Sequence, residues 1–356
     1  MDDRLYHSRR HLPELIELEQ LILLAGKLLR TDIIGQIQYG DINLPFYRLE
    51  LGSDKKNAPT LILIGGIHGI ERIGTQVILA FLRSYITRLK WDPLTRQQLE
   101  HVRLIIYPIV NPAGMWANRR CNGQGVDLMR NAPVEAEQRP AFMVGGHRIS
   151  KHLPWYRGKS DSPMELEAQL LCDDVALSLK GQSHCISLDC HSGFGKRDRV
   201  WFPYAKTRRP WPNIHNALAL TQLFESSYPN HDIYLFEPQA NSYTTHGDLW
   251  DFIYDQYVSA NGGIDSSSCY LPLTLELGSW LWLKKNPSRL FNRHSMLDYS
   301  SLFNPMLPHR HARILRRHLT FFEFLLSAVR SMGDWQSSMG DELYYEALSR
   351  WYQTNG

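Results

Sequence analysis

Cysteine is sparse in these 356 residues and never grouped. The five cysteines stand at 121, 172, 185, 190 and 269, an odd count with no Cys-x-x-Cys. That pattern excludes a close-set redox pair or a thiolate zinc knuckle and fits a reducing compartment, so a cytoplasmic protein is expected. No uninterrupted run of about 18 apolar residues occurs, so no membrane span is expected. Neither sign of charge dominates: the formal net charge is +3. There is no lysine-rich tail and no basic block interleaved with aromatics, so nucleic acid is not indicated as a partner. Met1–His11 is charged and lacks the apolar core of a signal peptide. Repeats and low-complexity linkers are also missing. The expected organisation is a single domain over 1–356, with an N-terminal helix at 12–29, a core at about 31–332 and a helical tail at 333–356.

What the chain does contain is a set of short, branched, apolar runs. The most informative is Leu61-Ile62-Leu63-Ile64, closed by Gly65-Gly66-Ile67-His68-Gly69-Ile70-Glu71. It reads as a buried strand of a mainly parallel sheet, followed by a helix over about Ile73–Leu89. Further strands are expected as a pair within Thr31–Leu51, and at Val102–Val110, His184–Cys190, Asp232–Phe236 and Leu271–Leu277. Helical patterns stand at Leu12–Leu29, Met164–Leu179, Asn213–Ser227, Gly247–Tyr254, Pro308–Met332 and Gly340–Tyr352. Ser162 and Glu165 have capping-box spacing before the Met164 helix. The alternation predicts a three-layer α/β/α sandwich around a central mixed, mainly parallel sheet.

Four clusters sit where such a sheet places ligands, at the carboxyl ends of strands. His68 and Glu71, three apart on one turn, suit a metal ion; a surface histidine beside a carboxylate gives the same spacing. Asp189-Cys190-His191-Ser192-Gly193 delivers a second histidine, either a ligand or a hydrogen-bonded strand end. Strand alternation turns Cys190 away from it. Glu276 stands alone in the apolar run Leu273–Leu277, as a general base in a dry site or as a water-facing residue on an edge strand. Arg119 to Asn131 carries four charged residues and two glycines, suited to gripping a carboxylate or to a solvated loop.

Taken in order, these pieces resemble the zinc carboxypeptidase family, the carboxypeptidase A-like metallopeptidases. The matching set is His68-x-x-Glu71, Asn111-Pro-x-Gly114, Arg120-x-Asn122, Gly125-Val-Asp127-Leu-x-Arg130-Asn131, His191-Ser192, Asp251-Phe-Ile-Tyr254 and Glu276. Trp155-Tyr-Arg-Gly158 adds to it. The resemblance implies one zinc ion per chain held by His68, Glu71 and His191, with cobalt, nickel or manganese as metals the same ligands accept. It further implies Glu276 as general base, Arg120 as oxyanion stabiliser, Arg130 and Asn131 as carboxylate binders and Asp127 as the residue orienting His68. Tyr254, 22 residues before Glu276, matches the family's mobile tyrosine. Seven further on, Asn261 falls at the side-chain selector, with Asp265 nearby.

Two departures suggest an atypical, bacterial-type cytoplasmic branch. Met129 precedes Arg130 where the family usually has asparagine, and Ile70 precedes Glu71 where it often has arginine. Three functions remain open on this reading. One is a carboxypeptidase acting on a peptide, a modified peptide or a cell-wall fragment such as a γ-D-glutamyl-diamino-acid peptide. The second is an N-acyl amino acid deacylase resembling aspartoacylase and succinylglutamate desuccinylase. The third is a non-catalytic binding domain on the same scaffold.

Overall fold

A computed structural model describes residues 12–261, 263, 268–278, 302–305, 307–337 and 342–352. In chain order these form α1 (Pro13–Ala25), β1 (Arg30–Tyr39), β2 (Ile42–Gly52), β3 (Thr60–Gly65), α2 (Arg72–Trp91), α3 (Pro93–Glu100), β4 (Arg103–Tyr107) and α4 (Pro112–Trp116). Then come α5 (Leu166–Leu179), β5 (His184–Ser192), β6 (Asp198–Phe202), α6 (Ile214–Ser227), β7 (Tyr234–Pro238), α7 (Gln239–Ser242) and α8 (Leu249–Ala260). The chain continues with β8 (Cys269–Leu277), α9 (Pro308–Arg330), α10 (Met332–Trp335) and α11 (Glu342–Tyr352).

The strands make one sheet in the order β1-β2-β4-β3-β5-β8-β6-β7. Its centre, β4-β3-β5-β8, is parallel, and β1, β2 and β6 add antiparallel pairs. The sheet is therefore mixed and mainly parallel, with helices on both faces. The central strands are buried on both sides, which is why they read as predominantly apolar runs, unbroken in Leu61–Ile64. Full burial of each large side chain in Leu61–Ile64 stabilises the fold by about 1.5–3 kcal/mol, an upper figure for a real unfolded chain.

Helices α2 and α9 cover one face against β3 and β5, and α8 lies against β8 on the other. Gly74 sets how closely α2 approaches: a Cβ there would stand 2.3 Å from the carbonyl oxygen of Cys190. That contact brings the start of α2 up to β5. Helix α1 packs on α2 through buried Leu15, Leu18 and Leu21, and its buried Glu14 receives hydrogen bonds from Arg72 and Gln76. No helix among the described residues is long and apolar enough to cross a membrane.

One local expectation needs correction, and one strand is added to those expected. The Ser162–Glu165 capping box does not form. Helix α5 begins at Leu166, with Glu165 as its N-cap making no side-chain cap bond. The Glu165 amide donates to Asn131 Oδ1 and its carboxylate accepts from Asn122, so both groups are committed elsewhere. Strand β6 was not anticipated either. It is five residues long and follows a glycine-rich turn, so it offers little period-two signal.

Candidate metal centre

Strand β3 ends in a glycine turn that leads directly into α2, and this turn presents His68 and Glu71. Strand β5 runs beside β3 in parallel register, Ile64 opposite Asp189 and Gly65 opposite Cys190, and presents His191 at the same level. The three side chains are buried and meet. His68 Nδ1 lies 3.0 Å from Glu71 Oε1. His191 Nδ1 lies 3.1 Å from Glu71 Oε2 and 3.1 Å from His68 Nδ1.

The far nitrogens of both rings are held by carboxylates. His68 Nε2 is 2.9 Å from Asp127 Oδ1, and His191 Nε2 is 2.6 Å from Asp189 Oδ2. An imidazole that donates Nε2–H keeps a lone pair on Nδ1. Two Nδ1 lone pairs and a carboxylate then face one point, which is a site for a cation. Two histidines and one glutamate, with room for water, form a hydrolytic zinc set. Tetrahedral donors about 2.0–2.2 Å from a zinc ion stand roughly 3.3–3.6 Å apart, so these need to part by only a few tenths of an ångström. The residues fit the ion.

The electrostatics agree. Burial raises the carboxyls of Glu71 and Asp127, but the cationic and imidazole neighbours outweigh it. Glu71, beside His68 and His191, and Asp127, beside Arg120 and His68, are both held below the ordinary range. Burial lowers His191, yet Asp189 and Glu71 raise it well above its ordinary value. Arg120 completes the group, with Nε on Asp127 Oδ2 at 2.8 Å and Nη1 on Glu71 Oε1 at 3.0 Å. Ser192 N–H donates to Glu71 Oε2 at 2.9 Å.

Glu276 stands opposite His191 in the β5–β8 register, so the two side chains share a face of the sheet. Strand β8 is interior, between β5 and β6, which disposes of the edge-strand alternative. The buried carboxylate accepts from Phe194 N–H at 3.0 Å. Burial first, then the charge of Glu71, push it up to about 8 against the pull of His191 and Arg120. Cys190 faces α2, and burial raises its thiol far above the ordinary value, leaving it packed rather than reactive.

The structure brings Arg130 near this group but not the other expected substrate contacts. Arg130 is buried, with Nε on the Val144 carbonyl at 3.2 Å and Nη1 on the Met129 carbonyl at 3.0 Å. Tyr254 is in the core instead. It lies on α8 with its ring 5.1 Å from Trp211, 5.9 Å from Tyr204 and 6.5 Å from Tyr270. Tyr270 precedes Glu276 by six residues of extended strand, roughly 20 Å. Asn261 ends α8, its amide on the Tyr257 carbonyl, while Tyr257 OH bonds the Gln182 carbonyl. Gln182 precedes β5, so Asn261 is at the wrong end of the sheet. Asn131 bridges the Arg157 carbonyl and the Glu165 amide, which uses both ends of its side chain as a brace. Asp265 lies outside the described residues.

Three residues at the site carried no role in the sequence reading. Asp189 is one strand period from His191, a spacing that puts both on one face. Trp250 fixes Asp189, its Nε1 donating to Oδ2 at 2.9 Å. Tyr243 lies in the loop before α8, against Phe194 and Trp201, with Arg130 6.0 Å from its ring. Burial raises its hydroxyl, Arg130 lowers it, and the charges of Glu276 and Arg120 also reach it. The signal for Tyr243 was Asp248. It caps α8 by accepting from Trp250 N and Asp251 N, which puts Tyr254 inside the helix.

Comparison with known proteins agrees with this geometry. Residues 36–278 match the zinc carboxypeptidase family. Carboxypeptidase SOL1 of Arabidopsis thaliana is 36% identical over 113 residues, 31% of this chain and 22% of that protein. Carboxypeptidase D of Mus musculus is 30% identical over 115 residues, 31% of this chain and 8% of that protein. The matched stretch thus spans less than a quarter of either relative. Among solved structures, carboxypeptidase A from Helicoverpa armigera superposes with a TM-score of 0.64 at 14% identity, covering 89% of this chain and 72% of the other. Thrombin activatable fibrinolysis inhibitor gives a TM-score of 0.62 at 20% identity, covering 88% and 72%. At these identities the likeness is one of fold.

Proposed function

The chain belongs to the zinc carboxypeptidase family, and from that premise we propose that it is a zinc-dependent carboxypeptidase acting on a peptide or modified-peptide substrate. The observation that carries this reading is the buried His68–Glu71–His191 donor set with Glu276 in register beside it. Zinc bound there supplies a water whose pKa falls from 15.7 to about 7, and polarises the scissile carbonyl.

The chain's own groups do the rest. Glu276, held by Phe194 N–H, takes the proton of the attacking water and returns it to the leaving amine. Arg120, anchored by Asp127 and Glu71, keeps a positive charge where the carbonyl oxygen becomes negative. Asp127 and Asp189 hold the two imidazoles with Nδ1 free to ligate. Arg130 binds the terminal carboxylate, and Tyr243, between Arg130 and the Glu276 side, donates a hydrogen bond to the substrate.

Met129 supports keeping a second reading. It is buried and offers Arg130 only its backbone carbonyl, so no side-chain amide shares the carboxylate. A one-armed clamp also suits an N-acyl amino acid, whose deacylation uses the same ligands and base. Hydrolysis of a mixed library of peptides and N-acyl amino acids by the zinc-loaded protein separates the two. Release of C-terminal residues supports the peptidase; cleavage of acyl amino acids alone replaces it with the deacylase. Zinc binding with no turnover of either class rejects both.

A further inference from the structure

Glu71 holds two positions at once. It is the N-cap residue of α2, the position from which a side-chain oxygen commonly accepts from an amide of the first helical turn. Its carboxylate makes no such bond, being turned to His68, His191, Arg120 and Ser192. The capping bond comes from far along the chain. Asn304 Oδ1 accepts from Ile73 N at 3.0 Å, and Asn304 Nδ2 donates to the Ile70 carbonyl at 2.8 Å. One primary amide thus brackets Glu71 on both sides.

Its neighbour braces the other ligand turn. Phe303 lies over Gly193, where a Cβ would stand 2.5 Å from the phenyl ring. Gly193 is two residues past His191, and its amide donates to the carbonyl of Leu277, next to Glu276, at 2.8 Å.

We infer that Asn304 is a positioning residue of the metal centre: it caps α2 in place of Glu71 and so keeps the Glu71 carboxylate available as a ligand. The reasoning is one of competition. With Ile73 N–H satisfied, the Glu71 side chain gains nothing by folding back on its own helix. With that amide orphaned, capping and metal ligation compete for the same carboxylate. This rests on the zinc reading above.

The test is zinc affinity, measured by competition with a chromophoric chelator on the full chain, together with melting curves of zinc-free and zinc-loaded protein. Asn304→Ala weakens zinc binding by about tenfold, the lower end of the range for residues that orient metal ligands. It also shrinks the rise in Tm that zinc produces. Asn304→Asp keeps an acceptor for Ile73 N–H and recovers affinity to within about threefold of wild type. Equal affinity of Asn304→Ala and wild type, with the same loss of Tm in both forms, overturns the inference and leaves an ordinary structural residue. If the alanine variant does not fold, amide exchange on wild type decides. The Ile73 amide is protected in the zinc-free protein; exchange as fast as at an uncapped first turn overturns the inference. A wild-type chain that takes up no zinc overturns the metal reading itself, and this inference with it.

Discussion

Asp189→Asn tests how the second histidine is held. In the folded chain Asp189 Oδ2 accepts from His191 Nε2 at 2.6 Å and from Trp250 Nε1 at 2.9 Å. Its other oxygen, Oδ1, is fully buried and has no hydrogen-bond partner among the described residues. Asparagine there has two choices. With its oxygen in the place of Oδ2 it keeps both bonds, but it puts an amide NH2 where nothing accepts, at a cost of about 1–3 kcal/mol. With its NH2 towards His191 it favours the tautomer protonated on Nδ1, which cannot ligate. Either way the carboxylate that makes the imidazole a better donor is gone. Loss of such a partner weakens metal binding by about 10–100-fold, or roughly 1.4–2.7 kcal/mol. Zinc titration against a competing chelator at fixed pH reads this directly, with circular dichroism to show that the variant is folded. A folded Asp189→Asn chain with wild-type zinc affinity would refute the claim that Asp189 sets the tautomer of His191.

Other outcomes follow from the same geometry. Glu276→Gln retains zinc and fold while kcat falls by about 10²–10⁴-fold, as expected for removal of a general base; near-normal turnover removes Glu276 from that role. Tyr243→Phe lowers kcat/KM by roughly 10–100-fold, the value of one hydrogen bond to a charged group, whereas Tyr254→Phe leaves kcat/KM unchanged; steady-state kinetics on one good substrate compares them. Far from the site, burial raises the Glu50 carboxyl, but Arg103 and Arg48 outweigh it and hold it at about 2 instead of 4.5. A carboxyl depressed by folding stabilises the native state above its unfolded pKa and loses that effect as pH falls through the folded one. Glu50→Gln therefore removes part of the decline in stability between pH 4.5 and 2, which denaturant titrations along that range detect.

The sheet and the ligand set were legible in sequence for related reasons. A strand buried on both faces must be mostly apolar: Leu61–Ile64 is an unbroken run, and Leu271–Leu277 is interrupted only by Thr274 and Glu276. A polar residue at the end of one, or alone inside one, then stands out, as His68, His191 and Glu276 do. The substrate side was less legible because it is built from loops, where spacing fixes no direction. Counting back 22 residues reached Tyr254 on the buried side of α8 rather than Tyr243 in the loop before it. Asn131 looked like part of a carboxylate clamp, but its two amide ends brace backbone at Arg157 and Glu165. Asn304 could not be seen at all. Its bonds cross more than 230 positions of chain to Ile70 and Ile73, and no local pattern encodes a cap delivered from that distance.

The central claim is that His68, Glu71 and His191 hold one metal ion, and elemental analysis of purified protein tests it most directly. The wild-type chain should carry about one zinc, and a folded His191→Ala variant should carry none after the same zinc loading. Wild type that stays metal-free when zinc is supplied, or a folded His191→Ala chain with its full zinc content, contradicts the account.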